Sequence, residues 1–335
     1  MSAKTIIIAE VGVNHNGDIA TAKDLICLAA QAGADIVKFQ TFKADTLVSR
    51  GAAKAEYQLA NSAKDESQQD MLKKLELSDE MHLELFEFCR HKNIEFMSTA
   101  FDIDSLNYLI GLGQKQIKIP SGEITNLPYL RGVAKYKKPL VLSTGMSTVE
   151  EIEAAIDALI KAGQPHDLIT ILHCTTEYPA PMAEVNLRAM NYLSSKFKMP
   201  VGYSDHTQGI EVAIAAVALG ATVIEKHITM DRNLPGPDHK ASLEPNELIS
   251  MVKAIRHIEI ALGKDEKKPT DSEFKNRVIA RQSVIATKRI TKGTLFSEKN
   301  IATKRPGNGL SPMRWDEIVG QVAKRDFDQD EQIEL

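Results

Sequence analysis

The sequence predicts an α/β fold: a closed eight-stranded barrel followed by a small β-rich domain. Three observations point there. Eight short β-branched runs alternate with helical stretches between residues 6 and 262, the pattern of repeated βα units. No clear glycine-rich nucleotide fingerprint accompanies them, which favours a closed barrel over an open doubly wound sheet. After Gly263 the alternation stops, and a charged stretch leads into short apolar pieces separated by turns.

The runs are 6–11, 36–41, 94–99, 116–119, 140–143, 168–174, 200–204 and 222–228. Segments with apolar residues spaced for one helix face lie between them, as at 20–32, 149–162 and 211–219. A last helix is expected over 245–262, where Pro245 suits a first helical position and Gly263 marks the stop. The polar segment 57–77 reads as an elaborated loop or extra helices over the barrel mouth. Residues 1–263 are thus assigned to the barrel, 264–281 to a partly helical linker and 282–335 to the small domain. In that domain 283–287, 300–303 and 331–335 are apolar, with turn signals at Lys292-Gly293 and Pro306-Gly307-Asn308-Gly309. A domain this small buries little by itself and is expected to pack on something larger.

Composition removes several function classes. With 335 residues, 43% of them hydrophobic and 26% charged, the chain is long enough for a large core. A net charge of −4 offers no bulk basic field for nucleic acid. No apolar run reaches the roughly 18 residues of a membrane span, and the first residues lack a signal-peptide pattern. Cys27, Cys89 and Cys174 are odd in number and far apart, so no disulfide framework is expected and a reduced, cytoplasmic protein is.

The reactive residues collect at the ends of the runs. In order these are Glu10 and Asn14; Lys38 and Gln40; Ser98 and Thr99; Lys118 and Ser121; Ser143 and Thr144; His173, Thr175 and Thr176; Ser204, Asp205 and His206; Glu225 and His227. Strand side chains alternate faces, so Lys38 and Gln40 point the same way, as do Glu225 and His227. Inward residues at barrel strand ends converge on one pocket. The same groups can also form a buried ion-pair layer without chemistry. His206 and His227 fall on neighbouring strands. Two histidines are too few for a closed zinc site but suit an open Mn²⁺ site completed by water and substrate. Each can equally be a hydrogen-bonding pocket residue. His15 is read as shaping its turn, His173 as a core or site residue, and His82, His91 and His257 as surface residues. Lys38, Lys118, Ser121, Ser143, Thr144 and Ser204 make a basic, hydroxyl-rich lining suited to a phosphate or carboxylate, although serines also close βα turns. Gly122, Gly145 and Gly202 allow close backbone approach.

Nine stretches then follow in a familiar order. They are Ala9-Glu10-Val11-Gly12-Val13-Asn14-His15-Asn16-Gly17, Val37-Lys38-Phe39-Gln40-Thr41, Lys118-Ile119-Pro120-Ser121-Gly122-Glu123, Ser143-Thr144-Gly145-Met146, His173-Cys174-Thr175-Thr176-Glu177-Tyr178-Pro179, Gly202-Tyr203-Ser204-Asp205-His206-Thr207, Ile224-Glu225-Lys226-His227, Gly236-Pro237-Asp238-His239 and Lys304-Arg305-Pro306-Gly307-Asn308-Gly309. Together they resemble the bacterial sialic acid synthase family, the N-acetylneuraminate and legionaminate synthases, over essentially the whole chain. The resemblance implies a TIM (β/α)8 barrel followed by an antifreeze-like (SAF) domain. It implies condensation of phosphoenolpyruvate with an N-acetylmannosamine-type sugar and water, giving a nine-carbon 2-keto acid and phosphate. N-acetylmannosamine is placed first as the sugar, and 2,4-diacetamido-2,4,6-trideoxymannose, the legionaminate precursor, second. By the same resemblance His206 and His227 would bind Mn²⁺, or another divalent ion such as Mg²⁺ or Co²⁺, and Glu10 would carry a proton. Lys38, Thr99, Lys118, Ser121, Ser143, Thr176 and Ser204 would hold phosphoenolpyruvate. Gln40, Tyr178, Glu225 and Asp238 would orient the sugar. Arg305 would reach the sugar's acyl group from the neighbouring chain of a domain-swapped homodimer. The pair Thr175-Thr176 departs from members with asparagine there, which leaves the phosphate chemistry intact and the sugar open.

Two other readings compete. One is a Schiff-base aldolase on the same barrel, using Lys38, Lys118 or Lys226. The other is a non-catalytic carbohydrate-binding protein that recognises its ligand with the terminal domain.

Overall fold

A computed structural model describes residues 4–49, 52–55, 59 and 67–335. The chain forms two compact units, Met1–Gly263 and Lys264–Leu335. In the first, eight parallel strands run β1 (Ile6–Gly12), β2 (Ile36–Thr41), β3 (Glu95–Ala100), β4 (Ile117–Ile119), β5 (Leu140–Ser143), β6 (Ile169–Cys174), β7 (Val201–Asp205) and β8 (Val223–His227). Their order is β3-β2-β1-β8-β7-β6-β5-β4, and the two ends, β3 and β4, lie side by side. The sheet is therefore a nearly closed barrel. The seam is stitched by the buried amide of Gln114, which accepts the Ser98 N–H at 2.7 Å. It donates to the carbonyls of Ser98 and Gln116 at 3.1 and 2.8 Å.

The two-residue period of a strand sorts the barrel's contents. Ile8, Ile36, Met97, Val141, Leu172 and Val223 pack together as one apolar layer inside it. Two residues further along each strand, the same face carries Glu10, Lys38, Thr99, Ser143, Cys174 and Glu225. The alternate residues, such as Ile7, Ala9, Val37, Phe39 and Ile224, pack outward in the large core beneath the helices. The barrel interior thus changes from apolar to polar in a single step of the pattern, and that step places the site.

Capping residues fix the helices that hold the strands. Thr148 and Glu151 form a reciprocal capping box for Val149–Lys161, as do Glu244 and Glu247 for Pro245–Leu262. His82, expected at the surface, is buried on the inner face of Asp79–His91. Its Nε2 lies 2.7 Å from Thr41 Oγ1 and its Nδ1 2.9 Å from the Ser78 carbonyl. Its spacing to the buried Leu85 and Cys89 is that of one helix face, so the polar label, not the position, misled. His91 and His257 are exposed. Of the segment 57–77, the helix Gln68–Lys73 is described, while 57, 58 and 60–66 lie outside the described residues.

The second unit opens with the helix Asp271–Ala280. β9 (Ser283–Ala286) then pairs antiparallel with β10 (Ile301–Lys304). The stretch 331–335, expected as an apolar piece, lies along β9 through the isolated bridge Gln332–Ile285 and the Ile333 N–H to the Val284 carbonyl, and it buries Ile333 in the core. Val284, Ile290, Phe296 and Phe327 form its core. No helix among the described residues is long and apolar enough to cross a membrane.

Candidate active site

A cavity of about 390 Å³ opens over the C-terminal ends of the strands, and every barrel residue assigned a role from the resemblance, from Glu10 to Asp238, lines it. Arg305 belongs to the other unit and is exposed.

The floor of the cavity is a buried network of opposite charges. Lys38 Nζ lies 2.8 Å from Glu10 Oε2 and 3.7 Å from Glu225 Oε2, and donates to Thr99 Oγ1 at 3.1 Å. Lys118 Nζ donates to Glu225 Oε1 at 2.9 Å, and the same oxygen accepts from Ser204 Oγ at 3.1 Å. Glu10 Oε2 and Glu225 Oε2 take part in ion pairs without receiving a directed hydrogen bond. Burial alone would raise Glu225, but Lys118 and Lys38 outweigh it and hold the carboxyl at about 2. Burial pushes Glu10 up to about 7 against the pull of Lys38. It also pushes Asp238 up to about 7, with the nearby Glu10 adding to the rise. Burial disfavours the charge on Lys38, yet Glu10 and Glu225 prevail and its pKa is raised, whereas burial lowers Lys118. The cavity therefore holds one firmly ionised carboxylate beside two lysines, and two carboxyls able to exchange a proton near neutral pH.

His206 and His227 stand at the rim of this network with ring centroids 5.7 Å apart. His206 Nδ1 is 2.6 Å from the Thr175 carbonyl oxygen, which can only accept, so Nδ1 carries the proton and Nε2 is left basic. His227 Nδ1 is buried, has no hydrogen-bond partner, and lies 4.0 Å from Asp238 Oδ2. Burial lowers His206 to about 4 and His227 well below the usual histidine range, so both rings are neutral at physiological pH. Tyr178 covers His206 with ring centroids 4.2 Å apart. Neutral imidazoles with available lone pairs fit a first-row divalent ion. Among the described residues no three His, Cys, Asp or Glu side chains come together as a metal cluster. An ion held by this pair would take its other ligands from water and substrate.

The bulge in β1 helps set this geometry. The register with β2 shifts between Glu10 and Gly12, and Gly12 has φ +55°. A Cβ there would lie 3.1 Å from His227 Cε1.

Opposite, β4, β5 and the chain after β6 build a hydroxyl cradle. The Gly145 N–H donates to Ser121 Oγ at 2.9 Å, and Thr176 Oγ1 is buried without a partner. A Cβ on Gly145 would sit 2.1 Å from that hydroxyl. Of the three glycines singled out in the sequence, Gly145 is thus required by the cavity. Gly202 is required by packing, since its Cβ would meet the Val223 carbonyl at 2.3 Å, and Gly122 faces open space.

Several residues at strand ends are structural. Thr144 Oγ1 donates to the Leu172 carbonyl, and the Asn14 amide ties Ile228 to Ser242. His15 Nδ1 accepts the Gly17 N–H and shapes its turn, and His173 Nε2 bonds the Val185 carbonyl. Lys226 does not line the cavity. It is fully buried and donates to Asp205 Oδ2 at 2.9 Å and the Thr207 carbonyl at 2.5 Å. The strand pattern did not reveal Phe42, Leu47, Met71, Leu72 and Phe101, which line the β1–β3 side of the cavity. They come from separate loops and short helices and carry no reactive group.

Comparison with known proteins identifies relatives of both units. A model described as the NeuB family matches residues 25–267, and one described as the SAF domain matches residues 281–334. The chain is 56% identical over 330 residues to N,N'-diacetyllegionaminic acid synthase of Campylobacter jejuni, covering 98% of this chain and 99% of that protein. It is 50% identical over 321 residues to the Legionella pneumophila protein of the same name, covering 95% and 90%. The crystal structure of N-acetylneuraminic acid synthetase from Leptospira borgpetersenii superposes with a TM-score of 0.73 at 36% identity, covering 82% of this chain and 90% of that one.

Proposed function

The chain belongs to the NeuB family, and from that premise we propose that it is a phosphoenolpyruvate-dependent nonulosonate synthase whose sugar is 2,4-diacetamido-2,4,6-trideoxymannose. The product would be N,N'-diacetyllegionaminate. One observation carries the reaction class: two lysines, an orphan-hydroxyl cradle, two neutral histidines and two near-neutral carboxyls share one cavity. The relatives at 56% and 50% identity are legionaminate synthases, and this supports reversing the order of sugars expected from the sequence.

In this reading Lys38, Lys118 and the cradle of Ser121, Ser143 and Thr176 hold the phosphate and carboxylate of phosphoenolpyruvate through charge-assisted hydrogen bonds. Thr99 steadies Lys38, and Ser204 steadies Glu225. Glu225, matched by resemblance to a sugar contact, is already engaged by Lys118, Ser204 and Lys38. Its assigned role is therefore to keep both lysines charged. Gln40, Tyr178 and Asp238 position the sugar so that its C1 carbon faces C3 of the enol. As that carbon–carbon bond forms, C2 takes up water and phosphate departs. Glu10, poised near pH 7, passes the proton between the attacking water and the new C1 hydroxyl. His206 and His227 would hold Mn²⁺ (or Mg²⁺ or Co²⁺), which would supply Lewis-acid polarisation of the sugar aldehyde.

We assign the protein to a domain-swapped homodimer in which Arg305 serves the other subunit's sugar. The helix Asp271–Ala280, which buries none of its side chains and exposes Phe274 and Ile279, supports a covering partner. The reaction belongs in the cytoplasm, where phosphoenolpyruvate is available.

Purified protein with Mn²⁺ and phosphoenolpyruvate should release phosphate and form a 2-keto acid when the diacetamido sugar is added. EDTA should stop turnover. Phosphate release from neither this sugar nor N-acetylmannosamine would defeat the reading. A borohydride-trapped pyruvate adduct would favour the aldolase instead, although Lys226 is already walled off from the cavity.

A further inference from the structure

The cavity has two unlike sides. Around the strand ends it is charged and hydroxylic. On the β1–β3 side it is apolar, lined by Phe42, Leu47, Met71, Leu72 and Phe101. These side chains form a hydrophobic cluster of their own, apart from the interior layer and from the core beneath the helices. Phe42 and Phe101 meet edge to face with ring centroids 6.0 Å apart. The short helices Ala44–Leu47 and Gln68–Lys73 pack on each other and carry Leu47, Met71 and Leu72. Phe42 and Met71 are buried, while Leu47, Leu72 and Phe101 keep part of their surface open. An apolar wall that borders a binding cavity can be completed by the ligand that fills it.

We propose, resting on the synthase reading above, that this wall selects the sugar by its far end. A C6 methyl and a C4 acetamido group are accepted there, and hydroxyls at those positions are rejected. The reacting C1 carbon has to lie among Glu10, Lys38, His206 and His227, so the C4–C6 end points away from that cluster. A hydroxyl pressed on the five wall residues gives up its hydrogen bonds to water and gains none from them. A methyl gives up nothing and removes apolar surface from water. Gln40 bonds Glu10 and so belongs to the reacting end, but Gln68, at the start of the wall's helix, also lines the cavity, and an amide matches the C=O and N–H of an acetamido group. An apolar wall of this kind discriminates by about tenfold to a hundredfold.

The deciding measurement is kcat/KM of the full-length protein with Mn²⁺ and saturating phosphoenolpyruvate, for 2,4-diacetamido-2,4,6-trideoxymannose and for N-acetylmannosamine. The parent should prefer the first by about tenfold or more. Leu47→Gln and Leu72→Gln, both only partly buried in the parent, should each cut that ratio about fivefold or more while the KM for phosphoenolpyruvate holds within about twofold. Met71→Leu, which keeps the wall apolar, should preserve the ratio. A parent ratio near one, or an unchanged ratio in folded glutamine variants, overturns the proposal. Should a glutamine variant fail to fold, Leu47→Asn or Leu72→Asn, closer to leucine in shape, is read in its place, with the same fall in the ratio expected and an unchanged ratio overturning the proposal. Phosphate release from neither sugar would instead defeat the synthase reading itself.

Discussion

At the scale of single residues, Glu225 is the hub of the site. It bonds Lys118 and Ser204 through one oxygen and faces Lys38 with the other. Glu225→Gln leaves two buried lysines with less opposing charge, so the lysines themselves are weakened as anion ligands. Turnover should drop by about a hundredfold or more, with a higher KM for phosphoenolpyruvate, in steady-state phosphate release. Parent-like kinetics would show that Glu225 is not needed to keep the lysines charged. Gly145 gives a sharper separation, because its Cβ would intrude on Thr176 Oγ1 and on Ser121. Gly145→Ala should raise the KM for phosphoenolpyruvate about tenfold and leave the KM for the sugar nearly unchanged. An equal rise in both would place the phosphate elsewhere. Glu225 was visible in the sequence as a charged strand end, whereas the need for glycine at 145 was not. Nothing along the chain says that Thr176 will be folded over it.

At the scale of elements, β7 and β8 are held together from behind. Lys226 reaches Asp205 and the Thr207 carbonyl, and Asp205 Oδ1 accepts from both the Thr207 N–H and its hydroxyl. These residues flank His206 and adjoin His227, so the buried pair fixes the two strand ends that carry the histidines. Removing one partner leaves the other charge buried. Lys226→Met should therefore cost about 3–5 kcal/mol in denaturant unfolding. The double variant Lys226→Met/Asp205→Leu should recover part of that loss, less the bonds from Thr207. A cost below about 1 kcal/mol for the single variant would mean water reaches the pair. The opposite orientation of Lys226 and its neighbours Glu225 and His227 follows from strand alternation alone. What Lys226 would meet outside the barrel does not.

At the scale of the whole molecule, the reading as a swapped dimer makes a prediction about mixtures. Lys118→Met should disable a site and Arg305→Ala should weaken the sugar end of a site, each in homodimers. If Arg305 acts on the neighbouring subunit, a co-expressed mixture should regain activity, because a mixed dimer contains one site with both residues intact. Random pairing would restore up to about a quarter of the sites. Activity no higher than the sum of the separate variants would show that Arg305 serves its own chain or neither.

The sequence by itself determined the period of the fold and the type of chemistry. Eight apolar runs with polar ends, spaced by helices, could only converge when closed into a barrel, because strand alternation points every second side chain inward. Tertiary structure decided what the pattern could not carry. It buried His82, turned Lys226 into a strut, made Glu225 a partner of lysines, and drew Phe42, Leu47, Met71, Leu72 and Phe101 into one wall. The physical reason is the same in each case. A side chain's role depends on which distant groups share its low-dielectric surroundings, and those groups lie on other elements whose approach no local period records.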